Sequence, residues 1–155
     1  MMKGLSKIKG VKKRLKTAIR LTMNDSISNS DTTSARKSIL AIEDDHSMRQ
    51  LLDHMLSKEY DVASLSNGNK AMQWLAGGNI PDLIITDIDV EGMNGEEFVT
   101  NLKRSGFFRD IPIIILSGKT SERTAFELLA KGAAGMLTKP FSKEALFEMM
   151  TKHIA

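Results

Sequence analysis

From Arg36 onward, short apolar runs alternate with stretches whose apolar residues recur every three or four positions. The runs predict strands over Ser38–Ile42, Tyr60–Leu65, Leu83–Thr86, Ile113–Leu116 and Gly135–Thr138. Three are continuously apolar, as in strands covered on both faces. The stretches between them predict helices. Met48, Leu51, Leu52 and Met55 fall at i, i+3, i+4, i+7, as do Ala125, Leu128, Leu129 and Gly132. Leu146, Met149, Met150 and His153 repeat the pattern, and shorter marks are Ala71, Trp74, Leu75 and Phe98, Val99, Leu102. Ser142 stands where an N-cap belongs. Pro81 and Pro112 stand just before strands, where a proline interrupts no central ladder. Strict alternation implies an α/β protein: a doubly wound (βα)5 parallel sheet with right-handed crossovers and helices on both faces.

Four polar residues close four of these runs: Asp44, Asp87, Ser117 and Lys139. In an open α/β sheet, ligands bind at the carboxyl ends of the strands, where the strand order reverses. In the common order 2-1-3-4-5, strands 1 and 3 are neighbours at that point. Glu43, Asp44 and Asp45 would then meet Asp87. Carboxylates packed so closely raise one another's pKa unless a cation intervenes. A hard dication resolves the conflict, and Mg2+ suits a site shared by few carboxylates and a phosphate. The plain alternative is that acids at strand ends face solvent.

Composition narrows the classes. Hydrophobic residues make up 41% of 155, enough for a globular core. The absence of cysteine excludes disulfides, thiolate metal sites and cysteine nucleophiles. No apolar run approaches the ~20 residues that span a bilayer, and no apolar stretch of signal-peptide type follows the basic N-terminus. A cytoplasmic location is the expectation. The net charge of +3 hides an asymmetry: eight Lys/Arg and no acids precede Asn24, leaving 14 basic against 19 acidic residues beyond. The basic character belongs to a tail. A nucleic-acid reading from overall charge would be misplaced.

Three zones follow: a basic amphipathic or disordered extension over 1–23, a polar linker over 24–36 and a folded domain over 37–155. In the extension Leu5, Ile8, Val11, Leu15 and Ala18 recur at helical spacing with lysines between. Such a helix suits an anionic membrane surface, a partner or nucleic acid; a disordered solvated arm, or a misplaced start codon, is the alternative.

The segments ILAIEDDHSMRQLL, PDLIITDIDVEGMNGEEF, IPIIILSGKTS and KGAAGMLTKPF resemble the receiver domains of two-component response regulators, here of the single-domain type. The resemblance runs from about Lys37 to the C-terminus and implies a flavodoxin-like fold. It implies that Asp87 is the phosphoacceptor and that Glu43 and Asp44 bind Mg2+ with Asp87, the backbone carbonyl of Asp89 completing the ligands. Asp45 falls at the variable position after the acidic pair. Ser117 matches the switch hydroxyl and Lys139, before Pro140, the invariant lysine. The implied partners are a sensor histidine kinase or phosphotransfer protein as donor, and an output protein on the face of the fourth helix, fifth strand and fifth helix. Phe147 is a candidate exposed anchor there, with partial burial as the alternative. The expectation is a stand-alone regulator with no DNA-binding domain, and no enzyme beyond its own phosphoryl transfer and autodephosphorylation.

Some positions depart from the family pattern. Glu91 stands where a proline is usual after the phosphoacceptor, and Met136 in place of the aromatic switch residue of strand 5; Gly118 stands where a small residue, commonly alanine, is expected, a harmless difference. Methionine is flexible and lacks a hydroxyl, so the usual Ser–aromatic coupling is in question. Asp89 and Lys119 each lie two residues past a site residue, bordering in the family the path of the hydrolytic water. They could pair across the mouth and tune phosphate lifetime, or form a surface ion pair worth little. His46 is expected as a solvated loop residue, His54 exposed, His153 packed on its stripe and Trp74 in the core. The rival class is a Mg2+-dependent phosphohydrolase of the haloacid dehalogenase type, suggested by Asp-x-Asp in IITDIDV. In that class the nucleophile strand comes first and the second acidic pair follows the lysine; here acids precede Asp87. A non-phosphorylated pseudo-receiver scaffold is a third reading.

Overall fold

The computed structural model describes residues 35–154. The chain runs β1 (Ser38–Ile42), α1 (His46–Leu56), β2 (Asp61–Leu65), α2 (Gly68–Ala76), β3 (Leu83–Asp87), α3 (Gly95–Arg104), β4 (Ile113–Ser117), α4 (Glu122–Ala130), β5 (Gly135–Thr138) and α5 (Lys143–Ile154), with a 3-10 turn at Lys119–Ser121 before α4. All strand pairs are parallel, in the order β2-β1-β3-β4-β5. The expected fold and order are what the chain adopts. The N-terminal extension and most of the linker lie outside the described residues.

Alternation along each strand builds two cores. Leu40, Ile42, Ile84, Ile113 and Ile115 point to one face and pack with Ala71 and Leu75 of α2, Phe98, Val99 and Leu102 of α3, and Ala125 and Leu128 of α4. Ile39, Leu83, Ile85, Ile114 and Leu116 point to the other and pack with Leu52 and Leu56 of α1 and Leu146 and Met150 of α5. Burial on both faces is why these strands read as unbroken apolar runs. Asp45, Asn67 and Asn94 cap α1, α2 and α3 through side-chain oxygens. Ser142 Oγ accepts the Ala145 N–H at 3.0 Å, as its position suggested.

The structure corrects several packing expectations. Leu51 is 45% exposed, because the buried stripe of α1 runs through Leu52 and Leu56. His153 is exposed, since the α5 stripe runs from Leu146 through Met150 to the half-buried Ile154. Gly132 lies past α4 with φ +111°, a left-handed turn that terminates the helix. Trp74 is half-buried, at the edge of the first core. Tyr60 precedes β2, and its ring lies 5.7 Å from that of Phe147. Phe147 is thus partly buried against the second core, the alternative to an exposed anchor.

Candidate functional site

Because β1 and β3 are neighbours, the residues at their ends share one edge of the sheet. Ile42 is registered with Thr86, so Glu43 follows one strand beside Asp87 at the end of the other. Glu43, Asp44 and Asp87 each offer a carboxylate oxygen, all within 4.8 Å of one another. Glu43 and Asp87 are buried. Lys139 follows β5, at the sheet's edge, yet its Nζ lies 3.0 Å from Glu43 Oε2 and 2.6 Å from Asp87 Oδ2. Its backbone N–H is held by Ser117 O at 2.8 Å.

Electrostatics follow from this packing. Burial pushes the Glu43 carboxyl up, to about 7; the Lys139 hydrogen bond opposes the rise and the charge of Asp87 adds to it. Burial works against the Lys139 ammonium, but hydrogen bonds to Asp87 and Glu43 outweigh it, and its pKa rises above the usual lysine value. With every group ionised, three carboxylates and one ammonium leave two negative charges. One dication balances them.

Ser117 closes β4, and its neighbour Leu116 is registered with Asp87. Its Oγ is buried and has no hydrogen-bond partner, alone in this among the buried side-chain N and O atoms of the described residues. Such an atom costs about 1–3 kcal/mol. A hydroxyl there can donate to an oxygen of a bound group. The clustered carboxylates, the ammonium and this hydroxyl fit a phosphoryl group and a hard cation together.

Side-chain detail sharpens other roles. Asp45 accepts the Met48 N–H at 2.7 Å as the cap of α1, and its own N–H donates to Glu43 Oε1 at 3.2 Å. Asp89 donates its N–H to Asp87 Oδ1 at 3.2 Å. The Asp89 carboxylate accepts from Ser121 Oγ, not from Lys119; Lys119 is exposed. Met136 is half-buried against the first core. Glu91 is exposed. His46 opens α1 in an exposed position, its Nδ1 3.3 Å from Arg49 Nη2.

The family model for the response regulator receiver domain matches residues 39–151. The chain belongs to the response regulator receiver family. Among curated relatives, hybrid signal transduction histidine kinase D of Dictyostelium discoideum is 34% identical over 108 residues, 70% of this chain and 7% of that protein. Sensor histidine kinase TmoS of Ectopseudomonas mendocina is also 34% identical over 108 residues, 70% of this chain and 11% of that protein. The chain therefore matches a small part of these longer proteins. The crystal structure of chemotaxis response regulator CheY4 of Vibrio cholerae superposes with TM-score 0.69 at 32% identity, covering 76% of this chain and 98% of that one. Receivers are signalling domains of two-component systems, not enzymes of the usual kind. The receiver match leaves the haloacid dehalogenase reading without support. No helix among the described residues is long and apolar enough to cross a membrane.

Two site residues escaped sequence reasoning. Arg49 donates through Nη1 to the carbonyls of Glu43 at 2.8 Å and Asp44 at 3.2 Å, fixing the acidic loop. Its place in the first turn of α1, just past the acids, was the available signal. Ser121 bonds Asp89 across two loops, and nothing in the spacing indicates that.

Proposed function

We propose that Asp87 accepts a phosphoryl group from a sensor histidine kinase or phosphotransfer protein, with Mg2+ bound at Glu43, Asp44, Asp87 and the backbone carbonyl of Asp89. The observation that carries this reading is the partnerless Ser117 hydroxyl beside a paired, buried Asp87. In the transfer, an Asp87 carboxylate oxygen forms a bond to phosphorus as the donor's bond to phosphorus breaks. Mg2+ held by these residues would supply charge compensation for the transferring group. Lys139, already on Asp87 Oδ2, supplies a fixed positive charge to the same oxygens. Ser117 donates to a phosphoryl oxygen and draws the loop after β4 with it. Asp89 borders the approach to Asp87, its N–H on the acceptor carboxylate, and with Lys119 on the opposite loop it tunes phosphate lifetime. At the switch position, Met136 offers no hydroxyl to follow Ser117.

Output runs through partner contact on the α4–β5–α5 face, where Phe126 of α4 is 58% exposed. The basic extension over 1–23 meets an anionic membrane surface, supported by eight cationic residues without an acid. Salt-sensitive co-sedimentation with anionic vesicles tests that; equal pelleting of a chain shortened to begin at Lys37 refutes it. The central test is incubation with Mg2+ and a small phosphodonor, read by intact mass. Wild type gains one phosphate, labile in base, and Asp87→Asn gains none. A gain in both, or in neither, overturns the assignment.

A further inference from the structure

The first three helices each begin at an Asp or Asn whose side-chain oxygen accepts a backbone N–H of the first turn. Helix α4 begins differently. Ser121 occupies its N-cap position, yet makes no side-chain cap bond. A serine there ordinarily accepts from the second or third helical N–H. Here the hydroxyl instead donates to the Asp89 carboxylate, 32 residues away on the loop after β3. Ser121 is 7% exposed, so its hydroxyl has few alternatives in solvent.

The clasp sits on the path of any movement at the site. The Asp89 N–H is tied to Asp87 Oδ1 at 3.2 Å. The Ser121 N–H is tied to Gly118 O at 3.2 Å, closing the turn that follows Ser117. Asp87 and Ser117, the two ends that a phosphoryl group joins, therefore each lie one short link from a partner in the clasp. A phosphoryl dianion on Asp87 repels the Asp89 carboxylate. A bond from Ser117 to a phosphoryl oxygen pulls the turn bearing Ser121.

Resting on the phosphoacceptor reading, we infer that Ser121 is a two-position residue, clasping Asp89 in the unphosphorylated protein and capping α4 once Asp87 is phosphorylated. It carries the signal into the first turn of α4 without a switch aromatic, which suits a chain with Met136 on β5. Ser121 positions Asp89 and α4; it does not touch the reacting atoms.

The test is amide hydrogen exchange at Arg123 and Thr124, the N–H groups that a cap would protect, in the full chain. Asp89→Ala, at an exposed residue, frees the hydroxyl to cap. It should slow exchange there about fivefold without any phosphate, the worth of one N-cap. Ser121→Ala should remove that gain in the double variant, and Ser121→Thr should restore it. A small phosphodonor with Mg2+ should produce the same slowing in wild type and not in Ser121→Ala. Exchange unchanged in Asp89→Ala, or slowed equally in the double variant, overturns the inference. The unphosphorylated comparison stands whether or not Asp87 accepts phosphate, so failure of the clasp and failure of the phosphoacceptor reading are separable.

Discussion

Replacing Lys139 with methionine keeps most of the side-chain volume and removes the only ammonium bonded to Glu43 and Asp87 among the described residues. The cost has two parts with different pH behaviour. Breaking a buried pair typically costs about 3–5 kcal/mol. The Lys139 side chain is 24% exposed, so water screens part of the interaction and about 2–3 kcal/mol is the better expectation. The second part comes from Glu43. Its folded carboxyl titrates near 7, above the ordinary 4.5. Between those values the native state holds a proton that the unfolded chain has released. Stability therefore falls as pH rises through this window and levels off above it. Without Lys139 the opposing hydrogen bond is gone, the folded value moves higher, and the fall continues beyond pH 7. The gap between wild type and Lys139→Met should widen by up to about 1.4 kcal/mol between pH 7 and pH 8. Urea unfolding followed by fluorescence of Trp74, the single tryptophan, measures it at pH 6, 7 and 8. Millimolar Mg2+ should narrow the gap, since a dication takes over the ammonium's role. A gap constant across pH, or a variant as stable as wild type, refutes the reasoning.

Mg2+ affinity should weaken about tenfold from pH 8 to pH 6 as Glu43 gains its proton near 7; calorimetric titration reads this, and Glu43→Gln should flatten the dependence. Gly95→Ala should destabilise by about 3 kcal/mol, because a Cβ there would stand 2.4 Å from the Asp87 carbonyl oxygen. Gly118→Ala, with nothing within 4 Å of its Cβ position, should stay near wild type in the same urea titration. Phe98→Ala removes a fully buried ring from the first core and should lower unfolding stability by about 3–5 kcal/mol.

Strand identity and order were legible because parallel strands buried on both faces must be apolar throughout. The buried apolar runs Ile39–Ile42, Leu83–Ile85 and Ile113–Leu116 bear this out, and polar Thr86 and Asp87 enter only where β3 reaches the site. Helix faces were less legible. Adjacent apolar residues such as Leu51 and Leu52 point about 100° apart on a helix, and only the position of the sheet decides which is buried. In α5, Leu146, Met150 and Ile154 repeat every fourth residue and follow the contact line better than the wider stripe that included His153. The exposure of Phe147 was left open by the sequence because its ring partner, Tyr60, lies 87 positions away.

The site divides along a similar line. Which residues gather was readable, since strand ends in a doubly wound sheet converge whatever their side chains do. What each atom bonds to was not. Asp89 and Lys119 look like a natural ion pair in sequence, having opposite charge and matching offsets from the site. A carboxylate at that mouth, however, can take any donor within reach, and a serine hydroxyl fixed at a helix start loses less rotamer freedom than a long exposed lysine. The nearer and stiffer donor wins, so Asp89 bonds Ser121. The same reasoning explains why the departure at Met136 need not leave α4 uncoupled. Coupling requires a group with two alternative partners, one of them sensitive to charge on Asp87. Ser121 has an anionic acceptor on one side and an uncapped helix on the other.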